Sequence, residues 1–142
     1  MKAFVKIFIL GLISLSLITC EDNKPSTTLV IPEGATNIGL VVKENKVFSI
    51  KVNGNPTTGY MWVLENPDLN GAITPLQLGL GNTGVFKPDK HAKGMVGVGG
   101  VFEFKFLAGK AQNNLITLNF AYKRSWETEN GRTVSVQVHI TP

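Results

Sequence analysis

Alternating apolar and polar residues run through much of this chain and limit what it can fold into. In residues 101–106, three phenylalanines fall on one side, with Glu103 and Lys105 on the other. A period of two is the pattern of a β-strand with one buried face. The chain is therefore predicted to form antiparallel sheets rather than helices. The same alternation recurs in residues 47–52, 115–122 and 134–140.

Shorter strand candidates complete the predicted fold. Glycine and proline recur between the candidate strands, as they do at turns. About seven to eight short strands in a domain of this length are typical of an immunoglobulin-like antiparallel β-sandwich, here disulfide-free. A closed barrel is the alternative. Trp62 lies inside a strand and is expected to pack in the core. The shorter candidates are residues 27–31, 38–42 and 60–64.

The first 20 residues have the composition of a cleaved export signal. Lys2 and Lys6 precede an uncharged apolar run over residues 7–18, which is too short for a transmembrane helix. Residues 21–27 are predicted to be a polar tether, and residues 28–142 the folded domain. We expect a protein of the secretory pathway, secreted or delivered to an endolysosomal lumen, with no stable membrane insertion after signal cleavage.

Cys20 is the only cysteine of the chain, so an internal disulfide is impossible. It ends the apolar leader, at the place where a bacterial lipoprotein carries its lipid-modified cysteine. Lipid anchoring through Cys20 is therefore an alternative to its removal with the signal. In either case the folded domain lacks a cysteine nucleophile and a cysteine-rich metal site.

Catalytic and cofactor motifs are not found in the sequence. His91 and His139 are the only histidines, and two isolated histidines cannot supply a zinc site. The glycine-rich residues 94–100 precede a strand, not the helix that a phosphate-binding loop requires. The formal charge is +4, of which two come from Lys2 and Lys6, and no basic stripe indicates a nucleic-acid partner. We expect a binding protein without cofactor, metal or enzyme activity.

Three connections become candidates for recognition when the strands are arranged as a sandwich. They are residues 55–60, residues 94–100 and residues 123–132. Loops of these kinds lie at one end of an immunoglobulin-like sandwich and can form one recognition edge. Trp126 lies in the third loop, either folded back onto the sandwich or exposed as an interface anchor.

Residues 55–60 have the composition of a rigid turn. Pro56 fixes its own φ angle and biases Asn55 away from helical geometry. Asn55 can brace the turn by hydrogen bonding to nearby backbone, and Gly59 permits a conformation that is closed to other residues. Thr57 and the next threonine are stiff at χ1 and supply hydroxyl groups.

Three short strings, in this order, resemble the chagasin-type inhibitors of papain-like cysteine peptidases. The resemblance covers essentially all of the folded domain. Ser125 stands where the family pattern has proline, which removes some preset stiffness from that loop. The strings are NPTTGY (Asn55, Pro56, Thr57, Thr58, Gly59, Tyr60), GVGG (Gly97, Val98, Gly99, Gly100) and RSW (Arg124, Ser125, Trp126).

The resemblance implies a reversible, tight-binding inhibitor, a monomer whose partners are papain-like (cathepsin-type) peptidases. Residues 56–59 would enter the centre of the active-site cleft, with Thr57 nearest the catalytic cysteine and histidine. Residues 97–100 would lie on the unprimed side, and Arg124 and Trp126 on the primed side. The alternative is an exported adhesion, carbohydrate or cargo-binding module, in which Trp126 would stack on a sugar.

Overall fold

The computed structural model describes residues 24–90, 99–129 and 131–142, which form two packed β-sheets. The first sheet contains β1 (Thr27–Val30), β3 (Val47–Gly54), β5 (Ile73–Gln77), β6 (Val85–Pro88) and β7 (Gly100–Ala108). The second sheet contains β2 (Asn37–Lys43), β4 (Met61–Leu64), β8 (Ile116–Lys123) and β9 (Arg132–Thr141). One-turn 3-10 helices span Pro56–Thr58 and Leu80–Asn82.

The strand pairing confirms the predicted disulfide-free sandwich and adds a detail to it. The first sheet has the order β1-β3-β7, with β5 and β6 both paired to β7, and the second has the order β2-β9-β8-β4. Strands β1 and β2 join their sheets in parallel, while the other pairs are antiparallel. An alternating sequence does not distinguish a parallel strand pair from an antiparallel one, because side chains alternate between the two faces in both kinds of sheet.

Two strands were not among the predicted segments. Strand β5 contains Pro75, and its register against β7 shifts between Pro75 and Gln77. Strand β6 has four residues and ends in Pro88. Proline is depleted from strands and is found mainly at edges and bulges. In addition, neither segment shows the apolar and polar alternation that identified the other strands.

The core lies between the two sheets and is built mainly from the predicted inward faces, to which Ile73 of the unpredicted strand β5 is added. The three phenylalanines of β7 and Trp62 are all 0% exposed. Phe104 meets Phe120 edge-on at 4.8 Å between ring centroids, and Phe106 stacks on Phe48 at 5.3 Å. Large aromatic side chains dominate the burial energy of a small core. Packed aromatic rings therefore contribute much of the burial energy that holds the two sheets together.

Glu103, expected on the solvent side of β7, is only 5% exposed. It pairs with Lys87 of the neighbouring strand. Burial raises the pKa of Glu103, but the hydrogen bond and charge of Lys87, with the charges of Lys105 and Lys51, together hold this pKa below its ordinary value of 4.5. Lys87 therefore stabilises the ionised form of a carboxylate that is almost inaccessible to solvent on the outer face of the first sheet.

The described residues begin within the segment that was predicted to be a polar tether. The Ser26 N–H donates to the carbonyl of Val47 at 2.8 Å, and β1 starts at Thr27. The predicted bounds of the domain stay a prediction. The predicted signal peptide lies outside the described residues and stays a prediction. Within the described ranges, no helix is long and apolar enough to span a membrane.

Candidate functional site

Strand register brings the described parts of the three predicted loops to one end of the sandwich. Strand β3 ends at Gly54, which pairs with Gly100 at the start of β7. Strand β4 begins at Met61, which pairs with Lys123 at the end of β8. The connections that leave these strand ends must therefore lie side by side. Gly97, Val98 and His91 lie outside the described residues.

Residues 55–59, called the wedge below, form a single 3-10 turn that is capped at both ends. Asn55 is extended, at φ −136° and ψ 102°, and its side-chain oxygen accepts a hydrogen bond from the Thr57 N–H at 3.1 Å. Gly59 is left-handed, at φ 84°, and its N–H donates to the Pro56 carbonyl at 2.9 Å. The expected brace at Asn55 and the expected special conformation at Gly59 are both confirmed.

The two threonines of the wedge are exposed, but their hydroxyl groups bond inside the turn. The Thr57 hydroxyl donates to Asn55 Oδ1 at 2.6 Å, and the Thr58 hydroxyl donates to the Asn55 carbonyl at 2.8 Å. Both hydroxyls therefore reinforce the turn. The outer faces of Thr57 and Thr58 remain open to solvent.

An aromatic column connects the core to the wedge and ends in solvent. Trp62 stacks on Tyr122 with ring centroids 5.0 Å apart, and Tyr122 stacks on Tyr60 at 5.2 Å. The guanidinium of Arg124 lies 4.3 Å from the Tyr60 centroid and 5.9 Å from the Trp126 centroid. These five residues form one continuous series of ring and cation–π contacts.

Tyr122 fixes the base of the wedge, a role that sequence reasoning missed. The Asn55 N–H donates to Tyr122 Oη at 3.0 Å, and the Tyr122 hydroxyl donates to the Asn55 carbonyl at 3.3 Å. The only sequence signal was a tyrosine at an inward strand position, because a buried phenol usually bonds a polar partner. Its partner Asn55 could not be predicted from the alternating pattern, because the two residues are 67 positions apart.

Arg124 ties the third loop to the wedge. Its Nε donates to the Thr58 carbonyl at 3.0 Å, and its Nη1 pairs with Glu127 Oε1 at 3.0 Å. The Arg124 side chain is 33% exposed. The resemblance implied that Arg124 would cover a partner's surface, whereas in the free protein its guanidinium packs on the wedge. Glu127 was not singled out from the sequence.

Trp126 is both exposed and folded back against the wedge, and its role as an interface anchor stays a prediction. It is 70% exposed, yet one ring edge packs against the wedge. A Cβ atom at residue 59 would lie 2.6 Å from Trp126 Cη2, so only glycine leaves room for the ring there. Trp126 is therefore exposed on most of its surface and supported from one side. Ser125 beside it is also exposed.

The described end of the glycine-rich loop separates into a buried and an accessible residue. Gly100 is buried, and a Cβ atom there would lie 2.7 Å from the ring of Phe86. Its lack of a side chain is thus explained by packing within this chain. Gly99 is partly exposed and sits next to the Gly54 carbonyl. Gly99 is the described glycine of this loop that can face a partner.

The match to a family model decides the identity of this domain. The model of the chagasin family peptidase inhibitor I42 matches residues 41–140. The chain belongs to the chagasin family. The predicted resemblance is confirmed, and the match includes all three loops of the edge.

Several relatives of this chagasin-family chain are similar over most of their length. Amoebiasin-1 of Entamoeba histolytica is 34% identical over 121 residues, which covers 84% of this chain and 95% of the relative. The crystal structure of EhICP2, a cysteine protease inhibitor from Entamoeba histolytica, has a TM-score of 0.62 at 25% identity, covering 83% of this chain and 100% of that one. The structure of PbICP-C in complex with falcipain-2 has a TM-score of 0.55 at 18% identity, covering 81% and 99%, and shares the fold.

The described residues of this chagasin-family edge offer surfaces for contact with a partner. These surfaces are threonine faces, backbone groups and one exposed ring, and the arginine of the edge is already paired. In the part of the chain that the structure describes, no three His, Cys, Asp or Glu residues are grouped to bind a metal ion. The edge can fill a cleft and cover its margins.

Proposed function

We propose that this protein is a reversible, tight-binding inhibitor of papain-like cysteine peptidases and is not itself an enzyme. One observation carries the proposal: in a chagasin-family sandwich, the wedge is folded and capped by hydrogen bonds within this chain. EhICP2 inhibits cysteine proteases and PbICP-C was solved with falcipain-2, so the partner class proposed here is the papain-like peptidases.

The closed backbone of the wedge explains how it can occupy a peptidase cleft without being cleaved. A substrate must place an extended scissile bond over the catalytic cysteine. In the wedge, hydrogen bonds run from Thr58 N to Asn55 O at 3.4 Å and from Gly59 N to Pro56 O at 2.9 Å. These bonds bend the backbone away from an extended path. The outer face of Thr57 would then meet the catalytic cysteine and histidine without presenting a hydrolysable geometry.

The support behind the wedge favours tight binding. Ordering a flexible side chain on association costs about 0.5–1.5 kcal/mol. Here Arg124 is already bonded to Thr58 and Glu127, and the Trp126 ring already packs on Gly59. Little of this ordering remains to be done when the complex forms, so more of the contact energy appears as affinity.

The other two loops would contact the margins of the cleft. In this proposal Gly99, with Gly97 and Val98 of the same loop, lies against the unprimed side and offers backbone groups for strand-like pairing. Trp126 packs on apolar surface of the primed side. Arg124 acts mainly as a positioning residue, because its donors are directed at the wedge and at Glu127.

The distribution of exposed rings favours inhibition over the sugar-binding alternative. A carbohydrate site usually combines several exposed aromatic side chains. Among the large apolar side chains that are exposed in the described ranges, Trp126 is the only aromatic one. A single ring beside a rigid wedge fits a cleft margin better than a sugar platform.

A titration of papain tests the proposed function. Increasing amounts of the purified protein should abolish papain activity at a one-to-one ratio, and activity should return on dilution because no covalent bond forms. Trypsin, a serine peptidase, serves as the control and should keep its activity. Full papain activity in the presence of excess folded protein would contradict the proposal.

Export through the secretory pathway is proposed from the leader of residues 1–20. Mass determination of the natural protein's N-terminus tests this proposal. A chain that begins just after Cys20 supports signal cleavage, and a lipid adduct on Cys20 supports anchoring. An intact Met1 on the natural protein would contradict both.

A further inference from the structure

A second exposed apolar feature lies beside the wedge and belongs to none of the three loops. Leu80 is 97% exposed, at the tip of the connection between β5 and β6. Together with Trp126 it lines a groove of about 900 Å³ whose other apolar residues include Met61 and Val63 of β4. A single exposed leucine needs no explanation, but a contiguous apolar groove next to a recognition edge indicates a contact surface.

The backbone around Leu80 is fixed although the side chain has no packing role. The Gly79 N–H donates to the Thr83 carbonyl at 2.8 Å, and the Thr83 hydroxyl donates to the Leu80 carbonyl at 3.2 Å. Gly81 and Asn82 both have positive φ angles, 67° and 60°, a conformation that is unfavourable for a non-glycine residue. This loop, residues 79–83, therefore presents Leu80 to solvent in a defined position.

The same loop is anchored on the strand that follows the wedge. Thr83 pairs with Val63 of β4, and the Gly84 N–H donates to the Trp62 carbonyl at 3.2 Å. These contacts occupy the edge of β4 at residues 62 and 63. An extended peptide therefore cannot add to the sheet there, and the groove is left to bind a surface through side chains.

The ionic groups of the groove are few, and the groove therefore favours a partner with an apolar surface. The ionic groups that line it are Glu65 and Lys123, which pair with each other at 3.5 Å. The remaining lining contains five apolar side chains, two glycines and the uncharged polar residues Asn82, Thr83 and Ser125. Gly59, Ser125 and Trp126 line the groove and also belong to the three-loop edge, so whatever binds that edge also covers the groove.

We propose that Leu80 forms a fourth contact with the inhibited cysteine peptidase, on apolar surface of the enzyme just outside the cleft on the side of Trp126. This inference rests on the proposed function, because the peptidase is taken as the molecule that covers the edge. The contact extends the interface beyond the three loops and adds apolar area that the wedge alone does not bury.

A matched pair of leucine variants tests the contact. Leu80→Ser should raise the Kd for papain about tenfold or more, since burial of one leucine side chain is lost. Leu115→Ser is the control, because Leu115 is 56% exposed and precedes β8 at the end far from the edge. An eight-residue strand is roughly 25 Å long, so Leu115→Ser should leave the Kd unchanged.

The outcomes separate this inference from the proposed function. If the unmodified protein does not inhibit papain, the proposed function fails and the fourth contact fails with it. If the unmodified protein inhibits and Leu80→Ser inhibits equally well, only the fourth contact is overturned. Equal weakening by both serine variants also overturns it. Sedimentation that shows a dimer of the free protein, lost in Leu80→Ser, would assign the groove to a second copy and overturn the contact as well.

Discussion

The two tryptophans of this chain lie at opposite ends of one aromatic column and are used in opposite ways. Trp62 is completely buried, and its indole N–H donates to the Asn53 carbonyl at 2.9 Å. Trp126 is 70% exposed. Tyr122, Tyr60 and the guanidinium of Arg124 lie between them. The difference shows that one series of contacts can stabilise the core at one end and position a binding surface at the other.

The largest expected effect is on stability at the buried end of the column. Trp62→Ala should lower the free energy of unfolding by about 3–5 kcal/mol, because a large aromatic side chain is removed from a packed core. Trp126→Ala should change it by less than about 0.5 kcal/mol, since most of that ring is exposed. Urea denaturation measures both values. Similar losses in the two variants would remove the distinction between the ends of the column.

The next effect is on binding at the exposed end. Trp126→Ala should weaken papain inhibition by about 2 kcal/mol, a Kd increase of roughly 30-fold, as expected when a tryptophan that anchors an interface is truncated. Thr57→Ala should also weaken inhibition, by less, and should lower the melting temperature only slightly, since the hydroxyl bond that it removes lies in an exposed turn. Trp126→Ala should keep the melting temperature of the parent. Inhibition titrations and thermal melts on the same samples provide the comparison. A fall in melting temperature that matches the loss of affinity would make these residues structural.

A pair of glycine variants isolates the contact between Trp126 and the wedge. Gly59 and Gly34 have nearly the same φ, 84° and 81°, but a Cβ at residue 34 would meet nothing within 4 Å. Alanine at either position should reduce stability by about 1 kcal/mol through backbone strain. Gly59→Ala must also displace the Trp126 ring, so it alone should weaken papain inhibition, by about tenfold. Equal inhibition by the two variants would show that the ring position is unimportant.

The smallest effect is expected far from the column, at Glu103. Because its pKa is lowered in the folded protein, its ionised form stabilises the fold above pH 4.5, and this contribution is lost as the pH falls through the lowered value. Glu103→Gln should therefore be less stable than the parent by about 1 kcal/mol at pH 7, and the gap should close in acid.

Papain inhibition is the control for this prediction. Glu103→Gln should leave it unchanged, because residue 103 lies within β7 and outside the three loops. Denaturation measured between pH 3 and pH 7 tests the prediction. A gap between the parent and Glu103→Gln that stays constant over this range would contradict it.

Local features of this molecule could be predicted from the sequence. The conformation of the wedge follows from Asn55, Pro56 and Gly59, because its capping bonds join residues no more than three positions apart. The core phenylalanines follow from alternation, since each strand face is defined by its own residues. The resemblance to the family motifs added a predicted partner for the three loops.

Long-range features were not predictable in the same way. The bond from Arg124 to Thr58 joins residues 66 positions apart, and it depends on the register of β8 against β4. The parallel pairing of β1 and β2 at the sheet edges leaves no separate mark in an alternating pattern. Leu80 was not singled out, because its exposure follows from a turn that lacks any repeating pattern.

The wedge also joins the two sheets, since β3 belongs to the first and β4 to the second. Its internal hydrogen bonds all run between residues 55 and 59, with a cap at each end. Its own bonds therefore maintain much of its shape, whereas its orientation depends on Tyr122 and Arg124. The wedge can consequently be grafted as a five-residue unit onto another sandwich with an inter-sheet connection of equal span. A working graft would need the two supporting side chains transplanted with it.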